Sequence, residues 1–222
     1  DLVGNLEYPQ GTNDIWGYAD GGNEYALVGT VTGFSVVDIT NPSNPEELFF
    51  IDGSSSIWRD IKTWGKYAYV TTEASDGLLI VDLSDQTGQT YVYTEEFFTT
   101  SHNIYIDENG YAYIFGADGS SNGGAVILDL TDDPMDPTLA GVFNDYYLHD
   151  GMVRGDTLWG SAIYAGVFSI IDVSDKSNPE IMSSYPTSCN FTHNAWISDD
   201  NNYLFTTDES SSCYVGAYDV SD

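Results

Sequence analysis

An all-β fold, a β-propeller of five four-stranded blades, is what this 222-residue sequence predicts, and three observations predict it. A short apolar run ending in aspartate recurs five times, as Phe34–Thr40 (FSVVDIT), Leu78–Ser84 (LLIVDLS), Val126–Thr131 (VILDLT), Phe168–Ser174 (FSIIDVS) and Val215–Ser221 (VGAYDVS). The aspartates at 38, 82, 129, 172 and 219 follow one another at steps of 44, 47, 43 and 47 residues, a period that belongs to propeller blades. Between them lie short apolar segments bounded by Gly, Asn, Asp and Pro, the length and punctuation of strands rather than helices.

In the first repeat the pattern predicts strands at Asp14–Tyr18, Tyr25–Val28, Phe34–Ile39 and Glu47–Ile51. The second repeat gives Arg59–Thr63, Tyr67–Thr71, Leu78–Leu83 and Tyr91–Phe97, with Gly65 and Gly77 in the turns. The third reads His102–Ile106, Tyr111–Phe115, Ala125–Leu130 and Thr138–Phe143; the fourth reads His149–Val153, Thr157–Ser161, Val167–Val173 and Glu180–Tyr185. The fifth offers only His193–Ile197, Tyr203–Thr207 and Tyr214–Val220. The strand-like run Leu2–Pro9 belongs to no repeat, so it is expected to supply the outer strand of blade five, or to be donated to a neighbouring copy in self-assembly. Each recurring aspartate is expected to end its strand and bond the backbone of the following turn.

Five similar units in residues 1–222 imply one propeller domain, a short ring or a portion of a longer one. No apolar run approaches the roughly 20 residues that span a bilayer. Thirty-five acidic and five basic residues leave a formal charge of -30, which argues against nucleic acid and anionic lipid as partners and makes cations the natural ones. Cys189 and Cys213 lie in the same repeat, on what a propeller makes the same face; a disulfide between them is expected. With the sequon Asn190-Phe191-Thr192, it agrees with an extracellular setting.

The heads of the first strands align as Asn13-Asp14, Arg59-Asp60, His102-Asn103, His149-Asp150 and His193-Asn194, and the first column holds all three histidines of the chain. In a propeller these heads line the central channel. The column Asp14, Asp60, Asn103, Asp150 and Asn194 would present the hard oxygen donors that Ca²⁺ takes. Alternatively His102, His149 and His193 would hold Zn, Cu or Fe, or both columns serve only to fix the strands and join the blades. Adjacent strand residues point to opposite sides, so the two columns cannot both aim down one axis. Loops after the second strands add Glu73, Asp76, Asp118, Asp208 and Glu209, making that face acidic. Nothing resembles a phosphate loop, a serine elbow or a cysteine nucleophile with its base.

The segments LLIVDLS and FSIIDVSDKSNPE resemble the LVIVD repeat, and the order NDIWGY, WRDIKTWGKYAYV, SHNIYID, LHDGMVRGDTLW and THNAWISDD resembles the choice-of-anchor B family of bacterial surface and secreted proteins. That resemblance covers nearly the whole chain. It implies a secreted β-propeller anchored or exported through a separate C-terminal sorting segment, with no established enzymatic activity. The expected function is a non-enzymatic extracellular scaffold or binding module whose acidic face meets cations and a protein or glycan at the cell surface; the alternative is a metal-dependent enzyme built on the three histidines.

Overall fold

The computed structural model describes residues 2–221 and contains 19 strands in five antiparallel sheets among them. The chain falls into two compact units, one reaching Thr100 and including Asp133–Asp136, the other formed by Ser101–Asp132 and the segment from Pro137 onward.

The first unit holds two sheets. β1 (Thr12–Asp20), β2 (Asn23–Thr30), β3 (Gly33–Asp38) and β4 (Glu46–Asp52) pair in chain order, as do β5 (Arg59–Trp64), β6 (Tyr67–Thr72), β7 (Leu78–Asp82) and β8 (Tyr91–Thr94). The central strands are apolar in nearly every position because both of their faces are covered. Leu27, Phe34, Val36 and Ile51 of one sheet meet Ile61, Val70, Leu79 and Val81 of the other in a continuous core. Burying one Leu or Ile side chain is worth about 2 kcal/mol, which is why a single repeat does not stand alone.

The second unit holds three sheets. They are β9 (Asn103–Ile106) to β12 (Thr138–Phe143) with β10 (Tyr111–Phe115) and β11 (Ala125–Asp129) between them; β13 (Asp150–Arg154), β14 (Thr157–Ala162), β15 (Val167–Asp172) and β16 (Glu180–Pro186); and β17 (Thr192–Ile197), β18 (Tyr203–Asp208) and β19 (Gly216–Asp219). Phe115, Ile127 and Phe143 pack on Leu148, Val153 and Leu158, and beyond them Met152, Trp159 and Phe168 pack on Ala195, Ile197 and Leu204.

The recurring aspartates do what their position in the turn predicts. Asp38, Asp82, Asp129, Asp172 and Asp219 each end a third strand, and each carboxylate accepts the backbone N–H two residues on, at 2.8 to 3.1 Å. The side-chain and backbone hydrogen bonds from Thr40 hold the Asp38 carboxyl below its ordinary range.

One expectation needs correction. The fifth sheet has three strands, and residues 2–8 do not form its fourth: they take no strand conformation, and β18 is the only sheet partner of β19 among the described residues. The physical reason lies on the first sheet, where the segment is fastened. The Tyr8 hydroxyl and Ser35 Oγ are 2.7 Å apart, and Ser35 in turn donates to Glu47 at 2.7 Å. Gly4 lies so close to the Pro42 carbonyl that a Cβ there would stand 2.1 Å from its oxygen.

Candidate functional site

Each sheet begins its first strand beside the end of its second, so the residues singled out by the sequence sit at hairpin ends. In the first unit these are Asn13, Asp14, Arg59 and Asp60. The β1–β2 register slips between Thr12 and Asp14, leaving Asn13 as a bulge residue, and its Nδ2 donates to the carbonyls of Thr30 (3.2 Å) and Ser56 (3.1 Å). Arg59 is buried, with Nη2 donating to Ser54 O at 2.6 Å and Nη1 to Ser56 O at 3.5 Å, and burial pushes its guanidinium pKa down. Asp14 crosses to the neighbouring sheet, where it accepts the Ile61 N–H at 2.9 Å. Burial first, and the negative charge of Asp60 second, push its carboxyl up to about 6. Asp60 is held by Lys62 Nζ at 2.5 Å, and the same ammonium lies 4.6 Å from the Trp16 ring centroid.

In the second unit the same positions carry imidazoles. The His149 ring centroid stands 4.0 Å from that of His102 and 4.5 Å from that of His193. The backbone explains the convergence. The N–H groups of His102 and His149 bond Phe115 O and Ser161 O at 2.9 and 2.8 Å, extending β9 and β13 by one residue. His193 is itself a bulge, skipped where the β17–β18 register slips between Thr192 and Asn194, and bulges re-aim side chains. Gly116, at φ 62°, makes room: a Cβ there would stand 2.8 Å from His102 Cβ and 3.0 Å from Tyr147 Oη.

His149 is 8 % exposed, and its Nδ1 lies 3.1 Å from the His193 carbonyl oxygen. A carbonyl only accepts, so Nδ1 carries the hydrogen and Nε2 the lone pair. Burial, then the adjacent His102 and His193, pushes the His149 pKa down to about 3, which keeps the ring neutral.

Glu209 completes the group. One ligand atom each from His149, His193 and Glu209 lies within 4.8 Å of the other two. Glu209 is positioned by its N–H, which bonds Phe191 O at 3.0 Å, and by a braced loop on either side. The expected disulfide is present, joining Cys189 to Cys213 with their Cα atoms 6.1 Å apart. Asp208 accepts from Thr187 Oγ1 (2.6 Å), Phe191 N (2.8 Å), Ser188 Oγ (3.0 Å) and Cys189 N (3.3 Å). Burial alone would raise its pKa, but these bonds prevail and hold it below the usual range.

The Asp/Asn column takes a different part. Asp150 accepts from Gly151 N at 2.6 Å and from Asn194 Nδ2, tying β13 to β17, while Asn103 opens β9 opposite Phe115. Sequence reasoning placed Glu209 on an acidic loop but did not connect it with the histidines. The available signal was its place one residue past β18, beside the head of β17.

The chain carries LVIVD repeats. They match residues 19–52, 57–93 and 162–187, which take in β2–β7, most of β8, and β15–β16. No curated protein matches the chain. Among solved structures, a functionally unknown protein from Desulfotomaculum acetoxidans is 14% identical over 96% of this LVIVD-repeat chain and 67% of its own, with a TM-score of 0.67. The Cps50 (Swd1) β-propeller domain of Myceliophteria thermophila is 11% identical over 98% of this chain and 74% of its own, at 0.64. A chain of the nidogen/laminin complex is 11% identical over 97% and 78%, at 0.63. At such identities the likeness is one of fold: the chain has a propeller-like, all-β fold that carries LVIVD repeats.

Proposed function

We propose that this chain is an extracellular, non-enzymatic scaffold or binding module of the cell surface, of the choice-of-anchor B kind, whose acidic face takes cations and meets a protein or glycan partner. The observation that carries this reading is the use made of the strand heads. Asp14 bonds Ile61 N across two sheets, Asp150 and Asn194 join two more, and Asn13 and Arg59 donate to backbone carbonyls of Thr30, Ser54 and Ser56. These polar groups hold a repeat framework together rather than flank a reacting centre. The disulfide and the exposed Asn190 of the sequon agree with an oxidising, extracellular compartment.

Calcium is the cation this reading expects in the first unit. Burial first and the charge of Asp60 second raise the Asp14 pKa, and a divalent ion would relieve the repulsion between the two carboxylates. An ion that binds only the folded chain stabilises it by about 2.7 kcal/mol at a hundredfold excess over its dissociation constant. Calcium should therefore raise the melting temperature at fixed ionic strength, and Asp14→Ala with Asp60→Ala should abolish the rise. Identical melting curves in calcium and in chelator would remove this site from the reading.

A further inference from the structure

We propose that His149, His193 and Glu209 bind one Zn²⁺ ion. Their donor atoms lie within 4.8 Å of one another and are drawn from two neighbouring sheets and the loop that leaves β18. Two imidazoles and a carboxylate form a donor set that zinc takes while keeping a fourth position for water, whereas Ca²⁺ prefers oxygen throughout. Ligand atoms around a tetrahedral zinc with bonds of about 2.1 Å stand about 3.4 Å apart, so the group must draw in by roughly an ångström. Glu209 can supply that movement, because it is exposed at the start of a loop, while buried His149 is fixed.

The hydrogen bond of His149 fits the same role. Its Nδ1–H is given to the His193 carbonyl, which leaves the lone pair on Nε2 for a metal; a bond from the second ring nitrogen to a backbone carbonyl is the usual outer contact of a zinc-binding imidazole. His102 lies against the His149 ring at 4.0 Å between centroids and falls outside the three-atom group, so it is not assigned as a ligand. Zinc here neither requires nor excludes the calcium site of the first unit.

The test is equilibrium dialysis of the disulfide-intact protein against Zn²⁺ in a large excess of Mg²⁺, which occupies weak carboxylate sites on a chain of 35 acidic residues. One zinc per chain is expected, and Co²⁺ in its place should show the intense visible bands of four-coordinate cobalt. Glu209→Gln, on an exposed loop, should weaken binding about 10-fold and His193→Ala about 100-fold, whereas His102→Ala should change it by less than about threefold. No retained zinc in the parent would overturn the site, as would parent-like affinity in Glu209→Gln, or a loss in His102→Ala equal to that in His193→Ala. Should His193→Ala fail to fold, parent stoichiometry and Glu209→Gln decide the matter. Asp199→Asn, which removes an exposed carboxylate past the end of β17, should leave zinc binding unchanged; a loss there would show that acidic charge alone, and not this group, holds the metal.

Discussion

The head of β1 and the head of β17 use the same backbone device for different ends. Both begin with a bulge, which leaves Asn13 and His193 unpaired in their ladders and turns their side chains out of the strand alternation. Asn13 spends its amide hydrogens on the carbonyls of Thr30 and Ser56. His193 sets its ring 4.5 Å from that of His149. The heads of β5 and β13 repeat the contrast. Arg59 has donors only, and they end on Ser54 and Ser56, whereas His149 gives one hydrogen to a carbonyl and keeps a lone pair. The repeat fixes where a side chain is placed; its donor and acceptor inventory decides whether it closes a framework or leaves a binding group open.

Removing the brace beside Glu209 is the largest test of that difference. The Cys189–Cys213 bond closes a separation of 24 residues, and a cross-link of that span is worth about 3 kcal/mol by loop-closure entropy. Cys213→Ser paired with Cys189→Ser should lower unfolding free energy in urea by about that amount and weaken zinc about 10-fold, since the loop carrying Glu209 loses its tie. Unchanged zinc affinity in the double variant would show that the Asp208 hydrogen bonds alone set the loop.

A smaller effect is expected on the other side of the comparison. Arg59→Met takes the donor from the Ser54 carbonyl and leaves the Ser56 carbonyl with Asn13 Nδ2 alone, and it should cost about 2 kcal/mol in the same titration. Zinc affinity should stay at the parent value. If Arg59→Met weakened zinc as His193→Ala does, framework and site would not be separable in the way the strand heads suggest.

Much of the framework is legible in the sequence because the repeat is short-range. The period of the aspartates located every third strand, and Asp38, Asp82 and Asp129 bond their turns as an Asx geometry requires. The fate of residues 2–8 was not legible. Strand-like alternation in Leu2–Pro9 says nothing of Tyr8 finding Ser35 or of Gly4 fitting under Pro42, both long-range matters of shape. The histidine column was legible as a column, but which of its members meet a carboxylate was not. That depended on the bulge at His193 and on a loop whose course the disulfide and Asp208 decide.

The smallest expected effect concerns Asp14, and its sign distinguishes a framework carboxylate from an ordinary surface one. Its folded pKa is raised to about 6 from 3.8, by burial and then by Asp60, so the folded chain binds the extra proton between those values. Stability from this group is therefore fully present below about pH 4 and is lost as pH rises through 6, the opposite of an ion-paired carboxylate. Asp14→Asn keeps an acceptor for the Ile61 N–H and removes the charge. It should gain roughly 1 kcal/mol over the parent at pH 7.5, after allowance for partial exposure, and gain nothing at pH 4. Urea unfolding at the two pH values measures the difference. An equal offset at both would mean that the Asp14 pKa does not change on folding, and the net repulsion that motivates a calcium ion beside Asp60 would be absent; a gain confined to the higher pH, and reproduced in the parent by added Ca²⁺, would place the ion and the proton on the same carboxylate.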